Sequence, residues 1–136
     1  EINGRVLFLY GDEFHTREDI SACLRHPLSA IVSPYDQPHK AGVVSINREG
    51  FVVGIEEKPE KPKSNIVIGG VMVLDNRIFL YQPFANKKGE YYLTSMLNQF
   101  VKDNPVRAVY SKHFLGDITV PDDIKRLENL KKVDRD

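Results

Sequence analysis

Phe51-Val52-Val53-Gly54-Ile55-Glu56-Glu57-Lys58-Pro59, continued by Glu60-Lys61-Pro62-Lys63-Ser64-Asn65, changes character midway. Its first half is β-branched and aromatic, which predicts a strand, and Pro59 withdraws a backbone donor just where the charged residues begin. The strand should therefore stop at Glu57 and Lys58, with Pro59 pushing Lys58 toward an extended conformation so that both side chains project from a fixed strand end. A carboxylate beside an ammonium suits an anionic sugar: the first accepts from hydroxyls and the second meets a phosphate. The same residues also make an ordinary polar turn, so the neighbouring sequence has to decide.

Upstream of that strand, Gly42-Val43-Val44-Ser45-Ile46 and the polar connector Asn47-Arg48-Glu49-Gly50 complete a hairpin signal. Gly42 reads either as a flexible start to its strand or as a point where backbone must approach a ligand. Downstream, Ile66 to Asp75 is a core strand interrupted by Gly69-Gly70, which invites a bulge or a close ligand contact. Asn76 to Tyr81 predicts one or two helical turns. Glu90 to Thr94 opens a helix whose apolar stripe is Leu93, Met96, Leu97, Phe100 and Val101. Val106 to Tyr110 reads as a strand, and Pro121-Asp122-Asp123 starts a last helix with Ile124, Leu127 and Leu130 as its buried side.

At the beginning of the sequence, Val6 to Tyr10 is a continuous apolar run ending in Gly11-Asp12, the pattern of a strand covered on both faces with a carboxylate at its C-terminal end. In open α/β sheets ligands gather at such ends, although Asp12 is equally placed for a plain loop into the next helix. Thr16 predicts that helix's cap, with Asp19 at its third position, Ile20, Cys23 and Leu24 on one face and Pro27 beyond it; Ala30 to Ser33 is a short second strand. Strands alternating with helices around one hairpin define an α/β domain with a mixed sheet, and 136 residues are enough for one core, so residues 1–136 are expected to form a single domain.

Nineteen basic side chains balance nineteen acidic ones, which argues against nucleic acid or an anionic membrane as the principal partner. Cys23 is the sole cysteine and the four histidines lack metal-ligand spacing, which removes a disulfide and a zinc site and fits a reducing cytoplasm. The longest nearly apolar run, Ile66 to Leu74, is too short for a membrane helix.

In order along the chain, Gly11-Asp12, Gly42-Val43, Glu57-Lys58-Pro59, Ser64-Asn65 with Gly69-Gly70, Gly89-Glu90-Tyr91 with Leu93-Thr94, and Gly116-Asp117 with Pro121-Asp122-Asp123 resemble the sugar-1-phosphate nucleotidylyltransferases. Glucose-1-phosphate thymidylyl- and uridylyltransferases are the nearest in motif. The resemblance implies a Rossmann-like mixed sheet with flanking helices and a reaction joining a sugar 1-phosphate to a nucleoside triphosphate, with pyrophosphate released and Mg²⁺ as cofactor. It assigns Asp12 and Asp117 as the metal-binding pair, Glu57 as the sugar-hydroxyl ligand and Lys58 as the grip on the sugar phosphate. Gly42 and Gly70 would line the sugar pocket, and Ser64, Asn65 and Glu90 match further substrate-binding positions. No protein nucleophile is implied; catalysis would be positioning plus charge neutralisation by the metal that Asp12 and Asp117 would bind and by the Lys58 cation.

The sequence also departs from that family. The family opens with a glycine-rich loop, an arginine and a proline-lysine motif that bind the triphosphate, whereas none of the nine glycines here forms G-x-G-x-x-G or a P-loop. Ala41 stands where an aromatic is common and Ser95 where an acid often follows, and no hexapeptide repeat follows the last helix. The expectation is a C-terminal, sugar- and metal-binding part of a truncated nucleotidyltransferase-like domain, inactive alone and using a nucleoside triphosphate only with the missing N-terminal segment. The alternative is a non-catalytic sugar-phosphate-binding or interaction module of the same fold. Without the segment that would flank Val6 to Tyr10, an open sheet edge and a bare apolar face should result, predicting a homo-oligomer.

Overall fold

Strand β5, Ile66–Asp75, is the strand around which the sheet is built in the computed structural model, which describes residues 3–86, 88–111, 121, 122, 124, 125 and 128. Its run of apolar residues is buried from Val67 to Leu74, so it needs neighbours along both edges. It finds three. β2, Ser29–Pro34, runs antiparallel along one edge. Val73 pairs with Leu7 as well as Ser29, and Val67 with Val43 as well as Ser33, so β1 (Arg5–Leu9) and β3 (Gly42–Ile46) share the other edge. β3 and β4 (Phe51–Glu57) form the expected hairpin, and β6 (Val106–Tyr110) lies between β4 and β2. The order is β1-β5-β2-β6-β4-β3, with β3 returning to touch β5 and β2–β6 as the parallel pair. This is the Rossmann-like mixed sheet the sequence predicts.

The glycine pair has the irregularity its sequence suggests. Ala30 pairs with Met72 but Val32 with Ile68, so β5 advances four residues where β2 advances two, and Gly69-Gly70 fall in the excess. On the other edge, β1 ends at Leu9 opposite Val71 and β3 begins at Gly42, with Val43 opposite Val67. A gap opens between them beside Ile68 to Gly70. β1 runs into this gap and β3 starts from it, the arrangement that makes a ligand crevice at strand ends in α/β sheets.

One face of the sheet is covered by α2, Leu93–Asp103, whose buried Leu97, Phe100 and Val101 meet Ile55, Ile68, Met72 and Leu74, as the helical stripe requires. Tyr92 caps this helix, so Glu90 and Tyr91 precede it instead of forming its first turn. The other face carries α1, Arg17–Leu24, capped by Thr16, whose hydroxyl accepts from Asp19 N at 3.1 Å. Cys23 is α1's buried residue, against Ile31, Val71 and Val73, whereas Leu24 is exposed, contrary to its expected place on the buried face. Asn76–Leu80 forms a single 3-10 stretch after β5, and no helix among the described residues is long and apolar enough to cross a membrane.

β1 corrects a further expectation. Its apolar run suggests cover on both faces, yet among the described residues it is an antiparallel edge strand in which Leu7 and Leu9 are exposed while Phe8 and Tyr10 pack on the α2 side. A continuous apolar run specifies that a strand is greasy on two sides; it does not supply the second covering layer. Ile124, expected on the buried side of the last helix, is half exposed, and Leu127 and Leu130 lie outside the described residues.

Burial pushes the Cys23 thiol up to about 11, so it stays protonated and unreactive at neutral pH. Native protein should resist a thiol reagent at pH values where the unfolded chain reacts fully. Because the folded value is the higher one, Cys23's contribution to stability is complete below the unfolded thiol's pKa and is lost as pH rises toward about 11. Rapid native-state labelling would contradict this.

Candidate functional site

Glu57 and Gly42 are cross-strand partners at the mouth of the β3–β4 hairpin. A Cβ at Gly42 would lie 3.3 Å from Glu57 Oε2, 3.0 Å from the Ile68 Cγ2 methyl and 3.3 Å from Thr94 Cγ2, so glycine keeps this wall flush. Buried Thr94, in the first turn of α2, donates to Glu57 Oε2 at 2.7 Å. That bond fixes one carboxylate oxygen and leaves Oε1 to accept from a ligand hydroxyl. Thr94→Val keeps the shape and removes the donor, and should cost about 2 kcal/mol in urea unfolding because a partly buried carboxylate loses its partner. Unchanged stability would mean that the bond carries no weight.

Lys58 differs from its sequence expectation in backbone conformation. It has φ 45°, left-handed rather than extended, and is the only non-glycine residue with positive φ among those described. Lys58 N donates to Ala41 O at 3.0 Å, carrying the hairpin ladder one bond past the Gly42–Glu57 pair before the chain turns away. This nonlocal bond overrides the local preference imposed by Pro59, at about 1–2 kcal/mol of backbone strain. The side chain is held as well: Nζ donates to Tyr92 Oη at 3.0 Å and stands 4.7 Å from the centroid of that ring. Tyr92 Oη in turn donates to Glu90 Oε2 at 2.7 Å, which also accepts from Asn86 Nδ2 at 2.9 Å.

The Tyr92 hydroxyl is the main cause of an upward shift of the Lys58 ammonium and of a downward shift of Glu90, the latter assisted by Asn86. Both groups remain charged at neutral pH, and the exposed ammonium is presented as a positioned cation.

The third part is the β1 end of the gap. Gly70 N donates to Glu13 Oε2 at 2.6 Å, and Tyr10 N donates to Gly70 O at 3.0 Å. A Cβ on Gly70 would lie 2.6 Å from Tyr10 Cβ and 2.8 Å from Glu13 Oε2, so this glycine is required by close approach of the β1 terminus. Asp12 is exposed in the turn just before Glu13. Ser64 and Asn65 lie at the start of β5 on the same end of the sheet, exposed; Ile66 N donates to Ser64 Oγ at 3.2 Å and Tyr35 N to Asn65 O at 2.9 Å. Asp117 lies outside the described residues.

The structure thus joins Gly42, Glu57 and Lys58 directly, adds Glu90 through Tyr92, and brings Gly70 to the same gap beside the Asp12 turn. Sequence reasoning gave Thr94 no role in the candidate site, although it falls in a matched motif, and did not single out Tyr92 or Glu13. Thr94 carried a usable signal, because it is a polar residue on the face that Leu97 and Val101 bury.

For a divalent cation, Asp12 offers the hard carboxylate oxygens that Mg²⁺ prefers. Among the described residues no three His, Cys, Asp or Glu side chains converge on one point. Such a donor set fits Mg²⁺ held by one or two carboxylates and completed by water and phosphate oxygens, not an all-protein cage.

A family model described as nucleotidyl transferase matches residues 14–124. Bifunctional protein GlmU of Methanocaldococcus jannaschii is 27% identical over 125 residues, covering 90% of this chain and 29% of that protein. A bifunctional sugar-1-phosphate nucleotidylyltransferase/acetyltransferase of Sulfurisphaera tokodaii is 30% identical over 125 residues, covering 89% of this chain and 31% of that protein. The crystal structure of an apo UDP-glucose pyrophosphorylase superposes with a TM-score of 0.74 at 19% identity, covering 98% of this chain and 56% of that one. The fold is that of a nucleotidyl transferase domain, and the chain belongs to the sugar-1-phosphate nucleotidylyltransferase family. It spans about three tenths of the length of the curated relatives it matches.

Proposed function

We propose that this chain supplies the sugar-1-phosphate side of a nucleotidyl transfer reaction, in which the sugar phosphate attacks a nucleoside triphosphate and pyrophosphate leaves. The observation that carries this reading is the end of β4: Glu57, oriented by Thr94 beside a flush Gly42, and Lys58, strained in backbone and tethered in side chain, stand next to each other. Glu57 Oε1 accepts from a sugar hydroxyl and Lys58 meets the phosphate, so the pair fixes the sugar phosphate's orientation. Gly42 keeps the wall beside Glu57 flush, and Gly70 lets Tyr10 and Glu13 close onto β5 at the edge of the same gap.

Asp12, with Asp117, would hold Mg²⁺, whose contribution when bound is to neutralise phosphate charge. The nucleoside triphosphate enters together with a glycine-rich segment that this sequence does not contain, so the chain on its own is proposed to be inactive. The β1 edge, which pairs with no second strand among the described residues and exposes Leu7 and Leu9, supports a homo-oligomer, which sedimentation at native concentration tests directly.

The test of the sugar-phosphate site is an NMR titration with glucose 1-phosphate. Saturable shifts are expected at Gly42, Glu57, Lys58 and Thr94. A titration that leaves these signals in place up to millimolar ligand would overturn the reading. Mn²⁺ broadening near Asp12 and Asp117 in one titration tests the metal pair, and broadening at one without the other would reject it.

A further inference from the structure

The chain enters α2 through a tight turn that Asn86 and Gly89 build. Asn86 Oδ1 accepts from Lys88 N at 2.8 Å and from Glu90 N at 3.0 Å, a local bond pattern that asparagine makes readily, and Gly89 supplies a φ of 80°. Asn86 N donates to Glu90 O at 2.8 Å and Gly89 N to Asn86 O at 3.0 Å. With Oδ1 turned to two backbone donors, the amide nitrogen of Asn86 faces the Glu90 carboxylate and donates to Oε2 at 2.9 Å. The turn therefore fixes the carboxylate that it carries.

A proton count sets the direction of the bonds that follow. Glu90 is ionised and can only accept, so the single proton of the Tyr92 hydroxyl is committed to Glu90 Oε2, 2.7 Å away. The phenol oxygen then presents lone pairs to Lys58, whose Nζ donates to it at 3.0 Å. An ammonium has three donors, so two remain for a phosphate, whereas the committed Tyr92 proton is not offered to a ligand.

Lys58 is thus held at both ends: its backbone N by Ala41 O across the hairpin, and its Nζ by a half-buried tyrosine at the start of α2. A lysine ordinarily gives up its rotamer freedom when it meets a phosphate. Here much of that freedom is lost on folding, which lowers the ordering cost at the moment of binding. A lone exposed contact would contribute little. These three bonds instead run in series from a rigid turn to the one ammonium that stands beside Glu57.

We propose that Tyr92 and Glu90 are positioning residues that act on the sugar phosphate only through Lys58: Glu90 orients the Tyr92 hydroxyl, and that hydroxyl aims the ammonium at the phosphate. The inference rests on the sugar-phosphate reading above and gives Glu90 an indirect part in place of the direct substrate contact its motif implies.

The test is the affinity for glucose 1-phosphate, read by NMR titration, in Tyr92→Phe, Glu90→Ala, Lys58→Met and the Lys58→Met/Tyr92→Phe double variant. Tyr92→Phe keeps the ring beside the ammonium and removes only the hydroxyl, so binding should weaken about three- to tenfold. Glu90→Ala should weaken it by less, about two- to threefold, because the tyrosine oxygen remains. Lys58→Met should weaken it by about tenfold or more, and adding Tyr92→Phe to it should change nothing further. In the unliganded protein, the ε-methylene signals of Lys58 should shift on Tyr92→Phe while the Gly42, Glu57 and Thr94 amides stay in place. A parent that does not bind glucose 1-phosphate removes the sugar-phosphate reading and this inference with it. With a parent that binds, this inference alone is overturned by a Tyr92→Phe variant of parental affinity, by Tyr92→Phe and Lys58→Met losses that add in full, or by displaced Glu57 and Thr94 amides, which would make the role of Tyr92 structural.

Discussion

Gly70→Ala should lower the melting temperature by about 10 °C, the result of an overpacking cost of about 2–3 kcal/mol. The added methyl would sit 2.6 Å from Tyr10 Cβ, an atom fixed to the β1 backbone that cannot swing aside like the end of a long side chain. Relief therefore requires the β1 terminus to move away from β5, breaking the bonds from Tyr10 N to Gly70 O and from Gly70 N to Glu13 Oε2. Gly11→Ala, one residue past Tyr10, is the control: its Cβ meets nothing within 4 Å and its effect should fall within about 0.5 kcal/mol of zero. Repeating Gly70→Ala in a Tyr10→Gly background removes the obstructing atom, so most of the cost should vanish from the double-mutant cycle. Equal melting temperatures for parent and Gly70→Ala would show that the β1 terminus is not packed as described.

The same region shows what the sequence makes legible. The paired glycines announced an irregularity in β5 because no other residue explains an interruption in an apolar run. The hairpin, the α2 stripe and the Thr16 cap were equally readable, since each depends on residues close together in the chain. β1 was misread because an apolar run reports its own surface chemistry and not what covers it. Strand order was out of reach because β5 takes three partners through contacts far apart in sequence.

Within the candidate site, Glu57 and Lys58 stand out in the sequence from their place at a strand end. Their supports were harder to find, because Thr94 and Tyr92 reach them from a helix start more than thirty residues away. The left-handed backbone of Lys58 was hidden for the same reason. A rule about the residue before proline is local, and the bond to Ala41 O is made across the hairpin.

That backbone separates binding from stability at a single position. Lys58→Ala and Lys58→Gly both remove the ammonium and its bond to Tyr92, and both should weaken glucose 1-phosphate binding by about 1.5–3 kcal/mol, the value of a charge-assisted contact. They should differ in stability. Alanine keeps a Cβ in the left-handed region and retains the strain of about 1–2 kcal/mol, whereas glycine adopts φ 45° freely and gives back part of that gain through its more flexible unfolded chain. The glycine variant should therefore be more stable than the alanine variant by up to about 1 kcal/mol in urea unfolding while binding no better. Equal stability of the two would place Lys58 outside the left-handed region, and unchanged calorimetric affinity in both would remove it from the phosphate site. Separation of the two quantities is the signature of a strained residue retained for its side chain: its backbone costs the fold stability, and its cation is positioned by the strand end that imposes the strain.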